Sequence, residues 1–104
     1  MAQVIFVDID DTICHRPDKT GLDYSTSEPY PERIDRINKL YQEGNTIVYW
    51  TARGSKTGIN WFSVTYEQLK KWGCQFHELR MGKPVYDIFI DDKNINSEDY
   101  FKIV

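Results

Sequence analysis

Val4-Ile5-Phe6-Val7-Asp8-Ile9-Asp10-Asp11-Thr12 decides how the chain is read. Four β-branched or aromatic residues in a row suit a buried strand, and an Asp, disfavoured within strands, closes the run where a strand gives way to a loop. The pattern recurs. Thr46-Ile47-Val48-Tyr49-Trp50 is a second such run and leads into Thr51; Tyr86-Asp87-Ile88-Phe89-Ile90 is a third and leads into Asp91-Asp92. Two amphipathic stretches lie between them. The first opens near Pro31, a residue tolerated at the first helical position, carries Ile34, Ile37, Leu40 and Tyr41 on one face and stops at Gly44. The second runs from about Asn60 to Trp72, with Phe62, Tyr66, Leu69 and Trp72 at helical spacing and Gly73 as its stop signal. Gln75 to Leu79 reads as a brief extended segment, and Ser97 to Val104 as a helical turn with an edge strand. Strands alternating with helices predict an α/β fold, a three-layer sandwich with helices on both faces of a mainly parallel sheet.

Length and composition bound the rest. A chain of 104 residues is one domain, large enough for a core of its own. No apolar run approaches the ~20 residues of a membrane span. The amino terminus has no basic region and meets Asp8 too early for a signal peptide. Cys14 and Cys74 are too few for a disulfide framework and read as reduced thiols of a cytoplasmic protein. A net charge of −3 leaves no polybasic footprint for nucleic acid. Asp8, Asp10, Asp11, Asp91 and Asp92 form two tight acidic clusters in a chain otherwise slightly basic.

Ligands of parallel sheets bind beyond the carboxyl ends of the strands, so Asp8, Thr51 and Asp91 are expected on one rim. Alternation aims Asp8 and Asp10 the same way and Asp11 away from them. Acids gathered there repel: at about 4 Å each like-charged pair costs on the order of 4 kcal/mol at an effective dielectric of about 20. The cluster therefore calls for a cation, a shared proton, or both. Carboxylate oxygens without a neighbouring His or Cys favour Mg²⁺. An aspartate can also attack phosphorus and form an aspartyl-phosphate, while a second acid two residues on protonates the departing alkoxide and then activates water.

The other chemistry-bearing residues follow in order. Thr51 opens Thr51-Ala52-Arg53-Gly54, where a hydroxyl can bond a phosphate oxygen and a following helix lends its amino-terminal dipole. Arg53 is expected to grip an anionic substrate with its fork of donors. Lys83, in Gly82-Lys83-Pro84, supplies a fixed positive charge shortly before the Asp91-Asp92 strand.

Together, Asp8-x-Asp10-x-Thr12, Thr51, Lys83 and Asp91-Asp92 resemble, in chain order, the four motifs of the haloacid dehalogenase (HAD) superfamily of phosphatases. Val7 to Cys14, Trp50 to Gly54, Gly82 to Pro84 and Ile90 to Lys93 look like its small stand-alone members linked to capsular-polysaccharide synthesis. The resemblance implies a Mg²⁺-dependent phosphomonoesterase on a Rossmann-like sheet, acting on a small phosphorylated metabolite, a sugar phosphate or capsule precursor. It makes Asp8 the nucleophile and Asp10 the general acid/base. Thr51 and Lys83 hold the phosphoryl group and Thr12 fixes the nucleophile loop. Mg²⁺ is held by Asp8, the Asp10 carbonyl and Asp91, with Asp92 close behind.

Only His15 to Tyr30 separates the first motif from the first helix, which suits a hairpin flap and leaves no room for a cap domain. The site is then open, either to a bulky substrate or to a neighbouring subunit of a homo-oligomer, and His15, Tyr24 and Tyr30 are within reach of substrate. Cys14-His15 and Cys74/His77 lack zinc-site spacing and read as core or surface residues. A receiver domain needs an aspartate after a middle strand, where Thr51 and Leu79 stand. A P-loop needs glycines where Ser55 and Trp50 stand, and an EF-hand a Gly and a Glu where Ile13 and Lys19 stand. A non-catalytic binding module of the same fold and a nucleic-acid 3′-phosphatase stay open as alternatives, the latter disfavoured by the missing basic stripe.

Overall fold

A computed structural model describes residues 2–17 and 23–102. β1 (Val4–Val7) and β4 (Thr46–Trp50) take the first two apolar runs as read from the sequence, and β5 (Glu78–Arg80) falls at the end of the brief extended segment. The three form a parallel sheet in the order β1-β4-β5, with Val7 beside Tyr49 and Trp50 beside Arg80. α1 (Pro31–Gln42) begins at its proline, and Gly44 past its end takes the positive φ of +98° that a helix stop requires. α2 (Phe62–Lys71) starts two residues later than expected, because the Asn60 side chain accepts the Phe62 N–H from outside the helix. Between β1 and α1, β2 (Cys14–His15) pairs antiparallel with β3 (Glu28–Pro29), giving the hairpin flap; the flap's residues 18–22 lie outside the described ones. α3 (Ser97–Lys102) takes the helical part of the tail, and Ile103 and Val104 of the expected edge strand lie outside the described residues.

The core gathers on one face of the sheet. Ile47 and Tyr49 of β4 and Val7 of β1 meet Ile34 and Ile37 of α1 and Leu69 of α2, and Tyr100 and Phe101 of α3 pack against the same cluster. The cause is topological: both crossovers step the same way along the sheet, and right-handed crossovers in one direction leave their helices on one side. The opposite face carries Val4, Phe6 and Trp50, with Phe6 edge-on to Trp50 at 5.8 Å and the Arg80 guanidinium over its ring. What the fold establishes is a mixed α/β chain around a three-stranded parallel sheet.

The third apolar run departs from expectation. Tyr86 to Ile90 forms no strand, and Ile88 and Ile90 are 78% and 93% exposed. Both ends of this stretch are tied to one end of the sheet: Lys83 N–H donates to the Thr51 carbonyl, and Ser97 Oγ lies 3.5 Å from the Asp11 carbonyl that accepts from it. A strand parallel to β1 has to start at the far end, and only Pro84 and Val85 lie between Lys83 and Tyr86. Local contacts occupy its aromatics instead, Tyr86 against Phe89 and beneath the Lys83 ammonium. Strand propensity without a place in a sheet does not make a strand.

Stability measurements discriminate these placements. Ile90→Ser is expected to change unfolding free energy by less than about 0.5 kcal/mol. Ile47→Ala, in the fully buried centre of β4, is expected to cost about 2–5 kcal/mol in the same denaturant titration. A loss at Ile90 as large as at Ile47 would mean that the 86–90 stretch is packed in solution.

Candidate functional site

The first cluster is held by its isoleucines. Ile9 and Ile13, both fully buried, plug the core on either side of the acids, and the Ile9 carbonyl accepts the N–H groups of Thr12 and Ile13. Asp11 takes a positive φ of 63° to complete this turn. Pinning the apolar residues inward leaves Asp8 and Asp10 half-buried at the carboxyl end of β1.

Two groups converge on Asp8. Thr12 Oγ1 donates to its Oδ2 at 3.2 Å, and Lys83 Nζ lies 3.3 Å from its Oδ1. Lys83 is brought there by its main chain: its N–H donates to the Thr51 carbonyl and its own carbonyl accepts from Ser55 Oγ, while Thr51 N–H donates to Arg80 of β5. Burial raises the Asp8 carboxyl above its ordinary value of 3.8, and the Lys83 ammonium opposes that rise. Thr51 is buried at the carboxyl end of β4, and its Oγ1 accepts the Arg53 N–H. No helix follows it directly; residues 52–61 intervene before α2, so the expected helix dipole is not aimed at this hydroxyl.

Arg53 stands elsewhere than expected of a substrate grip. Its side chain is fully buried. Nε and Nη2 donate to the two oxygens of Asp10 at 3.0 and 2.9 Å, a two-pronged bond. Nη1 donates to Thr65 Oγ1 and Gln68 Oε1 of α2, Nη2 also to Ser27 Oγ of the flap, and the guanidinium lies 4.8 Å over the Tyr24 ring. Thr65, Gln68 and Ser27 are residues that sequence reading missed. Thr65 carried a signal: it interrupts the apolar face of α2 four residues before Leu69, and a polar group there needs a buried partner.

The second acidic cluster is not part of this gathering. Asp91 and Asp92 are exposed, and Asp91 Oδ2 accepts the Lys93 N–H at 3.3 Å. Among the described residues no group of three or more His, Cys, Asp or Glu side chains is arranged to hold a metal ion. The flap aromatics are engaged in packing: His15 stacks on Tyr30 at 4.9 Å, and Tyr24 meets Trp61 edge-on at 5.1 Å. A cavity of about 140 Å³ opens next to Lys83, between the 53–55 loop, residues 59–61 and Met81-Gly82. Its floor requires Gly54, at φ +81°, where a Cβ would sit 2.1 Å from the Ile59 carbonyl oxygen.

No family model and no curated protein matches the chain. A solved structure does: a crystal structure of an MCSG target from Vibrio cholerae, 24% identical, aligns over 100% of this chain and 90% of its own with a TM-score of 0.83. At that identity the likeness concerns the fold alone, and the fold it shares is the α/β arrangement described above. No described helix is long and apolar enough to cross a membrane.

Both cysteines are free and buried. Burial, with Asp10 nearby, pushes the Cys14 thiol up to about 12, and burial pushes Cys74 up to about 11. Neither is a thiolate at pH 8. Ellman's reagent is expected to leave both unmodified in the native protein and to label both once the chain is unfolded; rapid native labelling of Cys14 would contradict its placement behind Asp10.

Proposed function

We propose that this chain is a phosphomonoester hydrolase of the HAD type, a capless member whose Asp8 attacks phosphorus. The observation that carries the reading is Asp8 itself, a half-buried carboxylate at a strand end with a hydroxyl on one oxygen and an ammonium on the other. The chain order of its motifs supports the same reading, as does a parallel sheet of the Rossmann-like kind.

In this mechanism an Asp8 oxygen forms a bond to phosphorus as the ester P–O bond breaks, giving an aspartyl-phosphate and an alcohol. Lys83 offsets charge on the phosphoryl oxygens, which is the main demand of phosphoryl transfer. The likeness to HAD phosphatases gives the Thr51 hydroxyl a phosphoryl oxygen to bond; as folded it is buried and accepts the Arg53 N–H, so it serves to hold the loop that carries Arg53. Asp10 protonates the departing oxygen, then takes a proton from the water that cleaves the acyl phosphate and frees Asp8 and phosphate. Substrates are small phosphorylated metabolites of the sugar-phosphate or capsule-precursor kind, and the enzyme works in the cytoplasm. The likeness to HAD phosphatases also brings a Mg²⁺ requirement. The residues as folded do not fit that ion, since Asp91 and Asp92 stand away in solvent, and no step here passes through it.

Release of phosphate from p-nitrophenyl phosphate tests the reading. Asp8→Asn and Asp10→Asn are each expected to cut turnover at least about 100-fold with the fold intact; wild type no faster than Asp8→Asn would leave a binding module in its place. Because Asp8 attacks as the carboxylate, kcat/KM is expected to fall as pH drops through a value above 3.8. Lys83→Met removes the charge that holds that value down, so the fall should move to higher pH.

A further inference from the structure

Asp10 needs its carboxylate aimed into the site, and in this fold Arg53 grips both of its oxygens, with the Cys14 thiol a longer, single contact at 3.6 Å. We propose that Arg53 is a positioning residue of the reaction, which sets the Asp10 carboxylate from behind and ties its aim to the flap; this rests on the phosphatase reading above. With no side-chain surface in water, Arg53 has no donor to offer a substrate. Its two parallel bonds to Asp10 fix both the place and the plane of the carboxylate. The Asp10 side chain keeps 27% of its surface open, so it is held by Arg53 on one side and free on another.

The guanidinium is itself immobilised. Thr65 and Gln68 hold it from α2, Ser27 holds it from the flap, and Tyr24 lies against its face. Gln68 Nε2 in turn donates to the Tyr24 carbonyl at 2.7 Å, which closes a circuit from the flap backbone through α2 and Arg53 to Asp10. A lysine keeps the charge and loses the fork, so Arg53→Lys separates geometry from electrostatics.

The test is p-nitrophenyl phosphate kinetics on the full chain. Arg53→Lys is expected to lower kcat about 100-fold, the size of effect that a slightly misplaced catalytic group produces, with KM within about threefold. Ile37→Ala, a core truncation on α1 that removes no bond to Arg53 or Asp10, should lower the thermal midpoint comparably and keep kcat within about threefold. In the Asp10→Asn background Arg53→Lys should change the residual turnover less than about twofold, because its effect runs through Asp10. If Arg53→Lys folds poorly, Ser27→Ala and Gln68→Leu carry the test, each expected to lower kcat about three- to tenfold at unchanged KM.

Three results would overturn the inference. One is a raised KM with kcat kept, which would make Arg53 a substrate contact. Another is a full additional loss in the Asp10→Asn background. The third is activity that follows the thermal midpoint alike in Arg53→Lys and Ile37→Ala, or, where Arg53→Lys folds poorly, kcat unchanged in both Ser27→Ala and Gln68→Leu. A wild-type rate no higher than that of Asp8→Asn would remove the phosphatase reading and this inference with it, and is distinct from all three.

Discussion

A guanidinium shut away from water has to find an anion, and Arg53 finds Asp10. Taking the two charges out of water costs several kcal/mol per ion, and only good geometry with every remaining donor engaged offsets it. That requirement constrains four parts of the chain at once. The β1 loop has to present Asp10, the residues after β4 have to turn inward at Arg53, α2 has to offer Thr65 and Gln68, and the flap has to bring Ser27 and Tyr24. The buried isoleucines on either side of Asp10 supply the complementary apolar constraint. Together they set the shape of the loop on which Asp8 also rides.

The distribution of charge follows from the same economy. Clustering along the sequence suggests that Asp8, Asp10, Asp91 and Asp92 share one site and call for a cation, a shared proton, or both. In the fold the first cluster is matched from within, Asp8 by Lys83 and Asp10 by Arg53, and the second stands in solvent, where screening weakens repulsion. The expected repulsion was sound as electrostatics; its premise was that Asp91 and Asp92 reach the same rim as Asp8.

Legibility divides along physical lines. β1, α1 and β4 follow from periodicity and end signals that act locally, Pro31 at one helix end and Gly44 at the other, and they appear at the residues that carry those signals. Asp8 and Thr51 were legible together because a parallel sheet sends successive strand ends to one rim; Thr12 and Lys83 were legible through the motif resemblance alone, and Asp91, expected on the same rim, stands in solvent. Arg53 was misread as a substrate grip because its partners come from α2 and the flap, at distances in sequence that no local pattern records. Tyr86 to Ile90 was misread because strand propensity reports what a segment suits and not whether a sheet edge is within reach of its tethers.

Those tethers also explain why part of the site is already assembled. Lys83 is bonded through its N–H to Thr51 and through its carbonyl to Ser55, and Thr51 through its N–H to β5. The ammonium and the hydroxyl thus share one rigid frame with the sheet, upstream of residues 85–96. The pairing of Lys83 with Asp8 and of Arg53 with Asp10 takes no hydrogen bond or ion pair from that later stretch. Asp8, the ammonium paired with it and Asp10 beside it are placed by the β1-β4-β5 sheet and its loops, and any contribution of Asp91 and Asp92 has to be added to a cluster that stands without them.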